Sequence, residues 1–547
     1  MQSEDDMKAL VIGLDGATFA VLTPLMQTGY MPNLQKALAR GVSGELLSTI
    51  PPVTALAWPS FMTGKNPGKH GLLGWQGPLN ARFERPWLSG RQVQGPKLWR
   101  LADQAGLKTC VVNVPVTYPP EPLNGVMITG MLTPGLETAF TYPPEIKAAL
   151  LDAVPDYQID IDVRHSQPNT RSLGAIRRFL HQALTVTQTR GKAIRWLLDR
   201  EQPDLAVVVF ELPDRLQHIL WRYVERLPLP VEGIDGATII RDELLACYQA
   251  LDTEIGRLTD RLPPEAYLVL LSDHGFGPWN TNVHLSDWLA QQGWLAYDRR
   301  RIGGWEALRW IGSHTKRWLP STLKRKTHRA LPLLRTLDWN RTWAYAGLPT
   351  EYGIFLNVRG REPAGIVDPA AYEPLRTEII AALCEWRNPQ SGQPIMKTVY
   401  RREELYTGPF VSQAPDVIFE LERGYRVSDL TGRGALFSDI SREPWGFHER
   451  EGIWAMSGPG IKSGIKVDGT RIPDVMPTLL YALNLPVPDD VDGRVLLKLF
   501  APAWQVDHPL YSQHAVQAEV DTQASHPFSA KEEALIEERL KGLGYLE

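Results

Sequence analysis

Residues 51–71 read PPVTALAWPSFMTGKNPGKHG, and the way this stretch joins a strand to a helix decides the fold. Pro52 has no backbone N–H and Pro51 pushes Ile50 towards an extended conformation, so a preceding strand ends here. The run ALAWPSFM then reads as an opening helix. One hydroxyl, Thr54, therefore sits at a helix start, beside N–H groups without helical partners and the positive end of the helix dipole. That position suits a nucleophile or an anion, and it suits an ordinary helix cap equally well.

Outward from this stretch, short apolar runs alternate with helical patterns. Upstream, residues 8–14 (KALVIGL) read as a buried strand closed by Asp15 and Gly16. Residues 31–40 read as a helix with Pro32 near its start and Gly41 past its end, and GELLSTI reads as the strand leading into Pro51. Downstream, helices are expected over 96–105 and 239–262 and within the helix-rich 140–200. Strands are expected at 108–114, at 205–211 (LAVVVFE) and at 266–271 (AYLVLL), with further sheet-like runs at YGIFLNV and APDVIFEL. The alternation predicts an α/β fold with a mostly parallel central sheet sandwiched by helices.

The pattern breaks over 285–345, a Trp-rich stretch. From Asp298 to Arg341, Arg299, Arg300, Arg301, Arg309, Lys316, Arg317, Lys324, Arg325, Lys326, Arg329, Arg335 and Arg341 meet only Asp298, Glu306 and Asp338. It reads as a helical basic insertion, with a face suited to an anionic substrate or to peripheral contact with a membrane surface; a solvated insertion is the simpler reading. The expected organisation is a discontinuous catalytic domain over 1–284 and 346–500, the insertion over 285–345, and an extension over 501–547 with a terminal helix.

A chain of 547 residues is long enough for a large α/β domain with insertions. The net charge of -4 argues against bulk nucleic-acid binding. Three cysteines, Cys110, Cys247 and Cys384, lie far apart without a CxxC pair, so neither a disulfide framework nor a thiolate zinc site is expected. The opening MQSEDDMKALVIGLDG lacks a basic n-region and an apolar h-region, and no apolar run approaches the roughly 20 residues that cross a bilayer. A cytoplasmic protein is the expectation, and oligomeric state stays open.

Four places carry metal-ligand residue types beyond strand ends: Asp15; Asp214 and His218 after LAVVVFE; Asp273 and His274 after AYLVLL; and His448 in GFHEREG. Singly, each is an incidental pattern. Together, beyond the carboxyl ends of strands in one sheet, they point to a shared crevice. Carboxylate oxygen and imidazole nitrogen without Cys suit a catalytic zinc site, with manganese or iron as alternatives. Two divalent ions about 4 Å apart clamp the attacking and leaving oxygens of a displacement at phosphorus. One of them would also activate the Thr54 hydroxyl.

These residues carry a resemblance. In order along the chain come GLDG, MPNLQKALARGVSGEL, the T-x8-TG-x2-P-x2-HG pattern of Thr54, Thr63, Gly64, Pro67, His70 and Gly71, then PDRLQH, SDHG, GFH, GPGI and IPDVMPTLL. The chain resembles the alkaline phosphatase superfamily and, within it, the type I phosphodiesterase/nucleotide pyrophosphatase family. The resemblance implies two zinc sites, one held by Asp214, His218 and His448, the other by Asp15, Asp273 and His274 with Thr54 alongside. It implies attack of Thr54 on phosphorus and a covalent phospho-threonine intermediate. The C/S-x-P-x-R motif of the related sulfatases is not TALAWP.

One departure bears on the substrate. Nucleotide pyrophosphatases keep an Asn after the HG element to hold a phosphate oxygen, whereas HGLLGWQG places Trp75 near that position. Its indole N–H can donate a single hydrogen bond. Asn113 in VVNVP is a candidate substitute donor, or a structural turn residue. Lys65 and Lys69 are candidate positive charges near the phosphate, or solvated loop lysines. His70 reads as part of a turn, His284 has no evident partner, and Glu449 either supports His448 or is exposed. The expected activity is phosphoester hydrolysis of a small-molecule or headgroup substrate, diester before monoester. A phosphonate-ester hydrolase and a phospho-group transferase acting on a lipid or glycan headgroup are the alternatives.

Overall fold

The computed structural model describes residues 7–161, 172–298, 333–428, 434–441, 445–514 and 527–545. In chain order the strands that matter are β1 (Ala9–Leu14), β2 (Val42–Leu47), β3 (Thr109–Val112), β4 (Gly125–Ile128), β5 (Thr141–Tyr142), β6 (Leu205–Phe210), β7 (Tyr267–Leu271) and β8 (Gly275–Val283). They continue with β9 (Ala344–Ala346), β10 (Gly353–Leu356), β11 (Met396–Arg401), β12 (Val417–Leu421), β13 (Gly424–Val427), β14 (Phe437–Asp439), β15 (Gly446–Glu449), β16 (Glu451–Ser457), β17 (Ile465–Lys466) and β18 (Thr470–Arg471). A ten-stranded sheet runs in the order β17-β2-β16-β7-β1-β6-β3-β4-β5, with β18 also on β2.

β1 lies at the centre, parallel to both β6 and β7, and β6 continues parallel to β3 and β4. β16, antiparallel to both β7 and β2, and the edge strand β5, antiparallel to β4, are the exceptions. The expected mostly parallel sheet is present, and its faces follow the two-residue period of strands. Leu10, Ile12 and Leu14 of β1, with Ala206, Val208 and Phe210 of β6, face one core beneath the helices Leu173–Glu201 and Ala237–Thr259. Ala9, Val11, Leu205, Val207 and Val209 face the other, beneath the helices Thr54–Thr63, Leu98–Gln104 and Val475–Ala482. Burial on both faces explains why these strands read as continuous apolar runs.

Register explains how distant residues meet. Val209, Gly13, Leu271, Trp454 and Gly44 lie in one row across β6, β1, β7, β16 and β2. Asp15 and Asp273 each follow that row by two residues, so they reach the same height at the same edge. β2 is antiparallel to β16 and hence runs with β7, which delivers Thr54 to that edge as well. His448 differs from the sequence reading. It lies in β15, ahead of the antiparallel β16, and so approaches from the opposite direction rather than from a strand's carboxyl end.

The runs YGIFLNV and APDVIFEL form strands, but in a second antiparallel sheet, β11-β12-β10-β9, packed on its own aromatic-rich core. β8 continues directly from His274 and pairs with β13, β14 and β15. Of the expected basic insertion, Leu285–Gln291 is helical and Ala344–Ala346 joins the second sheet, while its central residues 299–332 lie outside the described residues. Residues Ala530–Gly542 form a helix. No helix among the described residues is long and apolar enough to cross a membrane.

Candidate functional site

Thr54 is the first residue of its helix, and Val53, not Thr54, is the cap residue. The amides of Leu56 and Ala57 close on the Val53 carbonyl, leaving those of Thr54 and Ala55 outside the helical ladder. The Thr54 hydroxyl does not cap its own helix. Its Oγ1 lies 3.1 Å from Nε2 of His274.

Two groups of candidate ligand atoms share that imidazole. Asp15, Asp273 and His274 form one; Asp214, His274 and His448 form the other, with the atoms of each group within 4.8 Å of one another. His218 joins the second, its Nε2 lying 3.3 Å from Asp214 Oδ1 and 2.9 Å from Nε2 of His448. All six expected ligand residues therefore form one cluster, which Thr54 meets at His274.

Side contacts aim these groups. Trp58, one turn along the helix from Thr54, donates Nε1–H to Asp15 Oδ2 at 3.0 Å. The backbone N–H of Gly16 donates to Asp273 Oδ1 at 3.2 Å. Gly16 has φ +69, and a Cβ there would stand 3.0 Å from the Asp214 Cα, so the loop takes only glycine without displacing a ligand. Gln217 Nε2 donates to the Gly16 carbonyl and Ser272 Oγ to that of Ala17, bracing the same loop. His448 directs Nδ1 to the Pro52 carbonyl at 2.9 Å and His274 directs Nδ1 to that of Gly275 at 3.1 Å. With their protons on Nδ1, both rings turn the Nε2 lone pair into the site.

The electrostatics are those of a cation site. Burial, then the charges of Asp273 and Asp214, holds the Asp15 carboxyl well above the usual carboxylate range. Burial followed by Asp214 pushes Asp273 up to about 8. Burial acts upwards on Asp214 too, but His218 and Arg215 outweigh it and hold that carboxyl well below the usual range. Burial lowers His218, His274 and His448, keeping their imidazoles neutral and able to ligate. Asp15 Oδ1, Asp214 Oδ1 and Asp273 Oδ2 are buried without hydrogen-bond partners. Carboxylate oxygens left unpaired at this depth are costly unless a cation satisfies them, so the residues fit divalent metal ions.

Other expected residues fall away from the centre. Asn113 has φ +57 at the end of β3, and its Oδ1 accepts from the Tyr157 hydroxyl at 2.9 Å. No described hydrogen bond joins it to Thr54 or to a ligand residue. Trp75 is buried with its Nε1 unpartnered, its ring edge-on to Tyr545. Lys65 pairs with Asp490 and Lys69 with Asp492, so both charges are engaged there. His70 closes the short helix Pro67–His70 and meets Ser60 Oγ at 3.1 Å; burial lowers it to about 3. His284 meets Ser438 Oγ at 3.0 Å, and Glu449 pairs with Arg423 at 2.9 Å.

Three residues at the site were not singled out by sequence. Arg215 pairs with Asp214 and, at 2.8 Å, with Asp160. Trp58 lies in the opening stretch, where its four-residue spacing from Thr54 marks the same helix face. Tyr545 places its hydroxyl 2.9 Å from Asp214 Oδ2 and 3.4 Å from Thr54 Oγ1.

Among known proteins, the family described as Type I phosphodiesterase / nucleotide pyrophosphatase matches residues 9–434. No curated protein sequence matches the chain. The structure is similar to phosphonoacetate hydrolase from Sinorhizobium meliloti 1021 in complex with phosphonoacetate, at 16% identity and TM-score 0.50, over 88% of this chain and 95% of that one. It is also similar to murine ectonucleotide pyrophosphatase / phosphodiesterase 5, at 13% identity and TM-score 0.48, over 90% of this chain and 100% of that one.

Proposed function

Because the chain belongs to the type I phosphodiesterase / nucleotide pyrophosphatase family, and so to the alkaline phosphatase superfamily of phosphoester hydrolases, we propose that it is a two-metal phosphodiesterase with Thr54 as its nucleophile. The observation that carries this reading is the position of Thr54 Oγ1 between two buried carboxylate–imidazole groups whose facing oxygens lack protein partners. We assign Asp214, His218 and His448 to one ion and Asp15, Asp273 and His274 to the other, with zinc the metal that suits these donors. Bound there, the two ions supply Lewis-acid polarisation of a phosphoryl oxygen and an acidified hydroxyl.

The protein's own residues do the rest. Thr54 presents Oγ at the opening of a helix whose free amides and dipole favour the anionic phosphoryl group. The Oγ–phosphorus bond forms as the ester bond opposite it breaks. The departing alcohol takes up a proton in place of the one lost from Oγ, and Thr54 is left carrying the phosphoryl group with its second ester bond intact, to be released as the monoester. Water then breaks the Thr54–phosphorus bond and restores the hydroxyl. Trp58, Gly16 and the carbonyl of Pro52 hold Asp15, Asp273 and His448 in place through both steps. The free cysteines, with Cys384 exposed, suit a reducing, cytoplasmic setting.

The test is hydrolysis by the purified full chain of bis-p-nitrophenyl phosphate, p-nitrophenyl phosphate, p-nitrophenyl phenylphosphonate and p-nitrophenyl sulfate. The diester should be turned over fastest, chelation should abolish activity, zinc should restore it, and Thr54→Ala should remove it. A preference for the sulfate ester, or full activity in Thr54→Ala, refutes the reading. A preference for the monoester or phosphonate keeps the chemistry and changes the substrate.

A further inference from the structure

The residue that stands in front of the nucleophile comes from 491 positions away in the chain. The helix Ala530–Gly542 opens on a capping box between Ser529 and Glu532 and buries Ile536 and Leu540 in the main core. Arg539 anchors it further, donating to the carbonyls of Thr133 at 2.6 Å and Pro134 at 3.1 Å. Past the helix, Gly544 takes φ +88 over the ring of His218, where a Cβ would come 3.4 Å from Nδ1. That turn drops the Tyr545 ring between His218, 4.7 Å between centroids, and the edge of Trp75, at 5.5 Å.

The phenol oxygen donates to Asp214 Oδ2 at 2.9 Å, lies 3.2 Å from Arg215 Nη1 and stands 3.4 Å from Thr54 Oγ1. Thr54, Asp15, Asp214, Asp273, His274 and Tyr545 are all 0% exposed. A phosphorus atom must come within about 3–3.5 Å of Oγ to be attacked. The phenol oxygen already holds a place at that distance.

We propose that Tyr545 is a built-in gate that occupies the phosphoryl position and must be displaced by substrate. The inference rests on the reading of Thr54 as nucleophile. The device is local: the helix stays docked through Ile536, Leu540 and Arg539, and the hinge is Gly544. A tyrosine suits it because the buried hydroxyl finds its partners only on groups that catalysis needs. Closure then raises the apparent dissociation constant of any phosphoryl ligand in inverse proportion to the open fraction.

The experiment compares wild type, Tyr545→Ala and Tyr545→Phe as full-length, zinc-loaded proteins. One measurement is steady-state hydrolysis of bis-p-nitrophenyl phosphate; the other is amide exchange at Gly544 and Tyr545, against the helix Ala530–Gly542 as reference, with and without saturating vanadate. Tyr545→Ala should lower KM about tenfold or more, the weight of one hydrogen bond to a charged acceptor, with little change in kcat. Tyr545→Phe, which keeps the ring and loses the hydroxyl, should fall between. In wild type, vanadate should speed exchange at Gly544 and Tyr545 and leave the helix amides before them unchanged. Unchanged or higher KM in Tyr545→Ala, a drop in kcat at unchanged zinc content, or exchange indifferent to vanadate each overturn the gate. The exchange result decides the gate even if no ester is turned over, whereas inactivity on every ester refutes the phosphoester reading.

Discussion

Replacing Trp58 by Phe removes one hydrogen bond from one metal group and leaves the other untouched. Trp58 Nε1 is the donor to Asp15 Oδ2, while Asp15 Oδ1 faces the cation position without a partner. A hydrogen bond to a charged acceptor is worth about 1.5–3 kcal/mol, which corresponds to about 10- to 150-fold in an equilibrium constant. Loss of partners that orient metal ligands typically costs about 10–100-fold in affinity, so two separate estimates agree. The variant also loses ring volume from a fully buried position. Trp454→Phe controls for that: Trp454 lies in the same core, is equally buried, and has an unpartnered Nε1. Competition against a graded chelator, followed by metal counting, should show one weakened and one unchanged site in Trp58→Phe, and two unchanged sites in Trp454→Phe. Activity should return at saturating zinc. If Trp58→Phe binds both ions as tightly as wild type, or weakens both equally, Asp15 does not serve a separate site.

Other perturbations reach different parts of the account. Burial and the Asp214 charge push Asp273 up to about 8 without metal, and Asp15 is raised as well, so Asp273 is protonated at pH 6 and must release its proton when the ions bind. Calorimetry of zinc binding in buffers of different ionisation enthalpy should show proton release at pH 6 that falls as pH rises through about 8, since the histidines are already neutral. By the same sign, carboxylates with raised folded pKa values make the metal-free fold lose stability as pH rises from about 4 to about 8. The melting gap between zinc-loaded and metal-free protein should widen over that interval; a constant gap counts against it. Gly16→Ala places a Cβ against the Asp214 backbone at a positive φ, costing about 1–3 kcal/mol of strain, and should cut activity at least 100-fold while circular dichroism stays native. Arg85 and Glu351 form a buried bidentate pair at 2.6 and 2.7 Å between the loop after His70 and the second sheet. Arg85→Met strands a buried carboxylate and should cost about 3–5 kcal/mol, visible as a lower melting temperature; no change would contradict that pair's role.

Much of the site was legible because an α/β sheet concentrates chemistry at one edge. Apolar runs buried on both faces announce β1, β6 and β7, and acids immediately past them fall at the same height whenever the register is level. Asp15 and Asp273 are the plain case. Thr54 was ambiguous as a lone hydroxyl, since a cap and a nucleophile ask for the same position; only the spatial neighbours separate them. His448 was singled out in the sequence as a candidate ligand, but its direction of approach was not legible, because nothing local in GFHEREG says that β16 runs antiparallel. The second sheet was read as strands without a home, since a strand does not encode which sheet it joins. Tyr545 was illegible in a stronger sense. The periodicity of AKEEALIEERL announces a helix, and no local rule says that a ring three residues past its end will reach Thr54.

The central claim is that Thr54 forms a bond to phosphorus during turnover, and acid quenching tests it most directly. The zinc-loaded full chain is mixed with excess bis-p-nitrophenyl phosphate, stopped in acid within the first turnovers, digested, and examined by mass spectrometry. The account predicts a p-nitrophenylphosphoryl adduct on the peptide that contains Thr54, absent from Thr54→Ala. An adduct on any other residue, or turnover by Thr54→Ala at the wild-type rate, contradicts it.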